Sequence, residues 1–218
     1  MPPASRALGC IVISVDYRLA PEAPYPAALD VAYAALQWLL GEADALGIDR
    51  GRIALTGQSA GAGLATALAL RVRDRGELPI CLLLHESPMR DDRTAAGLLP
   101  GGKGGELVWT RDHNRFAWSA SLGCPVGSEG VPAHAAPGRA SDLAGMPPTF
   151  LGVGALDLFA REDIEFARRL IEVGVQTELH VLPGACHGFK RAGESRVAQR
   201  FCRDATCALA HAFNSTVP

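Results

Sequence analysis

Five short apolar runs punctuate this chain, and between most of them the apolar positions recur at helical spacing. Cys10-Ile11-Val12-Ile13-Ser14-Val15 is β-branched and nearly continuous, which predicts a strand buried on both faces of a parallel sheet. Further strands are predicted at Ile53-Ala54-Leu55-Thr56, residues 79–84, residues 148–154 and residues 175–182. A helix is expected over residues 27–45, where Val31, Ala35 and Leu39 form a stripe flanked by Leu36 and Leu40. Alanine and leucine predict a second helix from residue 60 to about residue 75, ending before Gly76. Ile164, Ala167, Leu170 and Ile171 mark another, stopped by Gly174. Val197, Phe201, Ala205, Ala208, Leu209 and Ala212 mark a closing helix. Strands alternating with helices predict an α/β fold, a mainly parallel sheet flanked by helices.

Two stretches break the alternation. Residues 16–26 carry Pro21, Pro24 and Pro26, which forbid regular structure. Residues 86–147 are rich in proline and glycine and hold one expected helix, residues 112–122. An insertion of that length usually has a functional occupant, such as a lid or binding loop. Its Gly101-Gly102-Lys103-Gly104-Gly105 lacks the spacing of a phosphate-binding loop. At 218 residues the whole chain, 1–218, is read as one domain, with residues 86–147 as an insertion or lid-like segment.

Charge and cysteine content narrow the classes. The net charge is −2 and no run of Lys and Arg forms a stripe, so nucleic acid and anionic membranes are not expected partners. Cys10, Cys81, Cys124, Cys186, Cys202 and Cys207 show no metal-ligand spacing and read as packed thiols in a reducing compartment. The first six residues do not read as a signal peptide, and the apolar run of residues 7–15 is too short to span a bilayer. A cytoplasmic protein is the expectation.

The candidate chemistry lies at strand ends. Gly57-Gln58-Ser59-Ala60-Gly61 follows one predicted strand and opens a helix, the spacing of a nucleophile elbow. Glycines on either side of the serine would remove Cβ atoms that collide in so sharp a turn. A serine hydroxyl needs a base to take its proton, and histidine, with an unperturbed pKa of about 6.5, suits the task. The base in turn needs a carboxylate to fix its tautomer. Ser59, Asp157 and His187 each fall just after a predicted strand, where groups converge in an open parallel sheet. Among the histidines, His85 and His180 belong to strands, while His113, His134 and His211 sit in the insertion or last helix. Glu162 and Asp163 compete with Asp157 but open a helix, where acidic residues favour the dipole.

Taken with Val15-Asp16-Tyr17-Arg18-Leu19-Ala20-Pro21-Glu22, Pro147-Pro148-Thr149-Phe150, Gly154-Ala155-Leu156-Asp157 and His187-Gly188-Phe189, the elbow resembles the hormone-sensitive-lipase-like esterases, an α/β-hydrolase family. The resemblance runs from about residue 7 to the C-terminus. It implies hydrolysis of carboxylic esters of short to medium acyl chains without cofactor or metal. Ser59 would be the nucleophile, Asp157 the acid, His187 the base, and the Ala60 N–H an oxyanion donor. The chain departs from the family pattern at Gln58, usually acidic, and at Ala62, usually glycine. It also has no His-Gly-Gly-Gly motif, which in the family supplies further oxyanion donors, nor the cap helices and first three strands. The sequence therefore supports two functions: an active serine esterase acting on a small-molecule ester, or an esterase-derived binding protein with little turnover. In the family's sheet the third strand separates the fourth from the elbow strand. Residues 10–15, matching the fourth, are therefore expected either to pair directly with residues 53–56 or to leave an open edge that invites homo-oligomerisation. Trp118 and Phe189 are candidate liners of the acyl pocket.

Overall fold

Four parallel strands lie in sequential order, β1 (Ala54–Gln58), β2 (Leu82–Glu86), β3 (Thr149–Gly154) and β4 (Thr177–Leu182). The computed structural model describes residues 8–77, 80–97, 104–105 and 107–214. The register aligns the strands' carboxyl ends: Gln58 opposes Glu86, Glu86 opposes Gly152, and Gly154 opposes Leu182. The turns that leave those ends therefore share one edge of the sheet. β2 and β3 are buried along their whole length, as continuous apolar runs require.

Helices cover both faces. On one face α1 (Ala27–Gly41), α3 (Ala60–Asp74) and α6 (Ala160–Glu172) pack Leu29, Leu36, Leu68, Phe166 and Leu170 around Leu83. A single turn, α2 (Ala43–Leu46), follows α1, so the helix expected over residues 27–45 breaks at Glu42. On the other face α7 (Arg196–Ala212) packs Phe201, Ala205 and Leu209 onto Leu82, Leu84 and Phe150. Alternate residues of β2 thus serve opposite cores, the period of a strand. Gly152 is required by this packing: a Cβ there would stand 2.2 Å from the Phe201 ring. Between β2 and β3 the insertion contains α4 (Asp92–Ala96) and α5 (Arg111–Leu122). The strand predicted over residues 79–84 begins later and ends later; residue 79 and residues 98–103 and 106 of the stretches named above lie outside the described residues, as do residues 1–7. No helix among the described residues is long and apolar enough to cross a membrane.

The first predicted strand is not formed. Residues 10–15 are irregular, with Ile11 57% and Val12 50% exposed. They do not pair with β1, whose ladder partner among the described residues is β2. Instead they stand across a groove of about 890 Å³ lined by Leu8, Ile13, Leu55, Leu64 and Leu68. Hydrophobicity marks a segment as fit for a sheet, but a strand exists only where a neighbour takes its N–H and C=O groups. The open edge is that of β1 itself.

Close backbone approach fixes how α3 sits. A Cβ on Gly63 would lie 2.0 Å from the Met89 carbonyl oxygen, so helix and loop touch there without a side chain. Gly63→Ala should lower unfolding free energy by about 1–3 kcal/mol, read as a lower urea midpoint at unchanged slope. Gly61→Ala, which meets nothing within 4 Å, should be neutral or stabilising through helix propensity. Equal midpoints for the two variants would refute this account of α3.

Candidate active site

Ser59 stands between β1 and α3 with φ 54° and ψ −123°, a backbone conformation disfavoured for any residue with a Cβ. Hydrogen bonds hold it from both sides. Its N–H donates to the Glu86 carbonyl at 2.9 Å, and its carbonyl accepts from Met89 N–H and Gly63 N–H, each at 3.1 Å. The two motif glycines are not equivalent. A Cβ at Gly57 would lie 2.4 Å from the Ala62 nitrogen, whereas one at Gly61 meets nothing, so the expected crowding is real on one side only. Ala60 opens α3, where first-turn N–H groups have no acceptor within the helix.

The other two residues arrive on turns tied to each other. Ala155 N–H donates to Leu182 C=O and Leu156 N–H to Ala185 C=O, both at 2.9 Å. Gly154 permits this crossing, since a Cβ there would stand 2.3 Å from the Ala185 oxygen. Asp157, 3% exposed, accepts the Phe159 N–H on Oδ1 at 3.1 Å and directs Oδ2 to His187 Nδ1 at 2.9 Å. With a carboxylate as acceptor the ring proton sits on Nδ1, leaving Nε2 to accept the Ser59 hydroxyl at 2.9 Å. Ser59, His187 and Asp157 thus form one continuous hydrogen-bonded chain. His85, by contrast, is wholly buried in β2; burial first, then the Arg90 guanidinium, holds its imidazole well below the ordinary value.

Above Ser59 lies a cleft of about 930 Å³ between residues 17–29 and α5, lined by Tyr17, Met89, Trp109, Phe116 and Trp118. Trp109, which sequence reasoning missed, has its ring centroid 5.9 Å from that of His187, and Phe159 meets the same imidazole edge-on at 5.3 Å. Trp118 lines the cleft as expected. Phe189 does not: it is in the core, edge-on to Phe201 at 5.2 Å. The described end of the glycine-rich stretch has a packing role, since a Cβ on Gly104 would stand 2.4 Å from the Asp157 carbonyl oxygen. No group of three or more His, Cys, Asp or Glu able to hold a metal occurs among the described residues.

A second cluster missed in the sequence sits behind Asp157. Arg90 and Asp163, both fully buried, face each other at 3.3 Å, and the guanidinium lies 4.2 Å from the Phe166 ring centroid. Glu162 accepts the Arg90 and Asp91 N–H groups and the Thr94 hydroxyl, pinning the loop after β2 to α6. The sequence signal was that two acids in a first helical turn suit a dipole; nothing in it revealed that both would be buried.

An α/β fold with Ser, His and Asp meeting at the carboxyl ends of parallel strands defines the α/β-hydrolase class. The comparisons agree: a family model described as "alpha/beta hydrolase fold" matches residues 3–191, and the chain belongs to that family. It is 37% identical over 182 residues to Esterase LipI and 38% identical over 185 residues to Carboxylesterase NlhH, both of Mycobacterium tuberculosis. These matches take in 82% of this chain but 55% and 56% of the relatives, so the chain spans little more than half their length. Among solved structures it resembles a bacterial heroin esterase (TM-score 0.90, 38% identity) over 96% of this chain and 67% of that one. It is similarly close to esterase LipW from Mycobacterium marinum (TM-score 0.87, 38% identity, 96% and 65% covered).

Burial pushes the Glu162 carboxyl from 4.5 up to about 8. Burial likewise raises Asp163, while Arg90 opposes the rise. The folded chain therefore holds a proton on Glu162 across an interval, about pH 4.5 to 8, in which the unfolded chain has released it. Stability from this site is full below that interval and declines as pH rises through it. Glu162→Gln, which fixes the neutral form, should flatten the decline, its melting temperature gaining on the parent's from about pH 5 to about pH 8. Melting curves that stay parallel with pH would refute the assignment.

Proposed function

We propose that this protein is a carboxylesterase-type serine hydrolase that cleaves esters of short to medium acyl chains through an acyl-enzyme intermediate. The unbroken Ser59–His187–Asp157 hydrogen-bond chain, each link 2.9 Å, is the observation that carries the reading. Ser59 Oγ attacks the ester carbonyl carbon while His187 Nε2 takes its proton. The carbonyl π electrons move to oxygen, which faces the Ala60 N–H at the positive end of α3. On collapse the alkoxide leaves with the proton from His187, leaving the acyl group on Ser59. Water then repeats the sequence, with His187 again base and then acid, and releases the carboxylic acid. Asp157 holds the imidazole orientation and offsets its transient positive charge. The relatives' names, esterase and carboxylesterase, support the reaction class. The aromatic and apolar walls of the cleft support a hydrophobic acyl or alcohol group.

A second reading is a weakly active binding protein. It is motivated by the oxyanion site, for which the esterase reading names one donor among the described residues, the Ala60 N–H at the start of α3. Loss of one such donor typically costs about 10²–10³ in turnover. Hydrolysis of p-nitrophenyl acetate and butyrate separates the two. The esterase reading expects turnover that Ser59→Ala reduces by at least about 10³-fold. A folded chain with no turnover above buffer would favour the binding reading.

A further inference from the structure

We propose that Glu86 is a positioning residue that couples the nucleophile strand to the histidine loop, through Gln58 on one side and Lys190 on the other. The inference rests on the serine-hydrolase reading and extends it to residues outside the hydrogen-bonded chain. Glu86 ends β2 and lies directly opposite Gln58, the residue before the nucleophile, in the β1–β2 register. In-register neighbours project from the same face of a sheet. The Glu86 side chain, 1% exposed, accepts the Gln58 amide on Oε1 at 3.0 Å. Its other oxygen stands 2.9 Å from Lys190 Nζ. Lys190 belongs to the 3₁₀ turn Phe189–Arg191 that closes the loop carrying His187. Gly188, in the same loop, lies near that amide: a Cβ there would be at ordinary contact distance, 3.8 Å, from Gln58 Nε2.

One carboxylate thus spans the interval between the strand holding Ser59 and the turn holding His187. The backbone of the same residue accepts the Ser59 N–H. Both ends of the Ser59–His187 hydrogen bond are therefore referenced to a single residue. Gln58 takes a new meaning here. An acidic residue at that position would face Glu86 across the register with like charge, whereas an amide donates to it. The carboxylate sits on β2 instead of β1, and Lys190 balances its charge. A buried carboxylate without such partners would be costly.

The bridge has an electrostatic signature. In Glu86→Gln the Lys190 cation is left uncompensated beside the histidine loop and disfavours imidazolium. In Lys190→Met the Glu86 anion is left and favours it. The other ionisable groups about His187 among the described residues are Asp157 with Asp163 behind it, and Tyr17, Arg18, Tyr25, His113, His134 and Arg191 lining the cleft; all are retained in every variant.

The test uses the full chain with p-nitrophenyl acetate, together with a fluorophosphonate probe that labels the serine without needing deacylation. Each single variant should lose about 10-fold or more in kcat with KM within about two-fold, as expected when reacting groups are misplaced. The acid limb of kcat/KM should move to lower pH in Glu86→Gln and to higher pH in Lys190→Met. In the double variant it should return to the parental position, with a loss smaller than the product of the single losses. Lys190 is partly exposed, so its variant keeps the test alive if Glu86→Gln fails to fold. Acid limbs that do not move and kcat within about two-fold of the parent, whatever happens to melting temperature, would overturn the bridge alone. An unmodified chain that neither turns over ester nor takes the probe would overturn the serine-hydrolase reading and the bridge with it.

Discussion

The conformation of one residue organises the molecule. Ser59 sits with φ 54°, a geometry that costs about 1–3 kcal/mol for a residue with a side chain. It persists because the surroundings over-determine it. The end of β2 accepts its N–H, the loop after β2 and the first turn of α3 donate to its carbonyl, and Gly57 leaves room for the α3 backbone to pass. Each of these is a backbone interaction, so the turn depends on β1, β2 and α3 being in place, and on Gly63 letting α3 dock. The sheet and its first crossover helix are the frame that makes the strained serine affordable.

The acid and base turns follow the same logic at the neighbouring strands. Because β3 and β4 are parallel and in register, their exits lie side by side, and two backbone hydrogen bonds plus the Gly154 crossing lock them together. Behind them Arg90, Glu162 and Asp163 occupy a buried region in which one cation faces two carboxylates. Such a cluster tolerates only limited charge, and burial resolves it by raising the carboxyls. The result ties the loop after β2 to α6, the helix that starts three residues after Asp157. Glu86, Gln58 and Lys190 form a separate polar group on the other side of the elbow, nearer the open edge of β1.

That open edge is the least settled part of the sheet physically. Among the described residues β1 has a ladder partner on one side only, and Ile11, Val12 and Ile13, which face it across the groove, are largely exposed. A strand edge without a ladder partner is in general a template for strand addition. The relatives extend well beyond the matched portion.

Much of this was legible in the linear chain. Four of the five predicted strands form, because short apolar runs bounded by turn residues are signals a segment carries within itself, while the most β-branched run, residues 10–15, does not. Ser59, Asp157 and His187 could be picked from spacing and strand ends, since parallel strands must exit at a common edge. The α/β class followed from alternation alone. What the sequence could not decide were matters of partnership. Residues 10–15 have a strand's composition but no neighbour to complete a ladder. Phe189 follows the histidine yet turns into the core against Phe201, and Trp109, in an unremarkable stretch, covers the imidazole. Glu86 and Glu162 look like ordinary acids in sequence, and only packing reveals that both are buried and bonded on several sides. Local pattern determines which elements form and where reactive residue types fall; which side chains are paired, buried or left open depends on contacts between segments far apart in the chain, and those exist only in the tertiary structure.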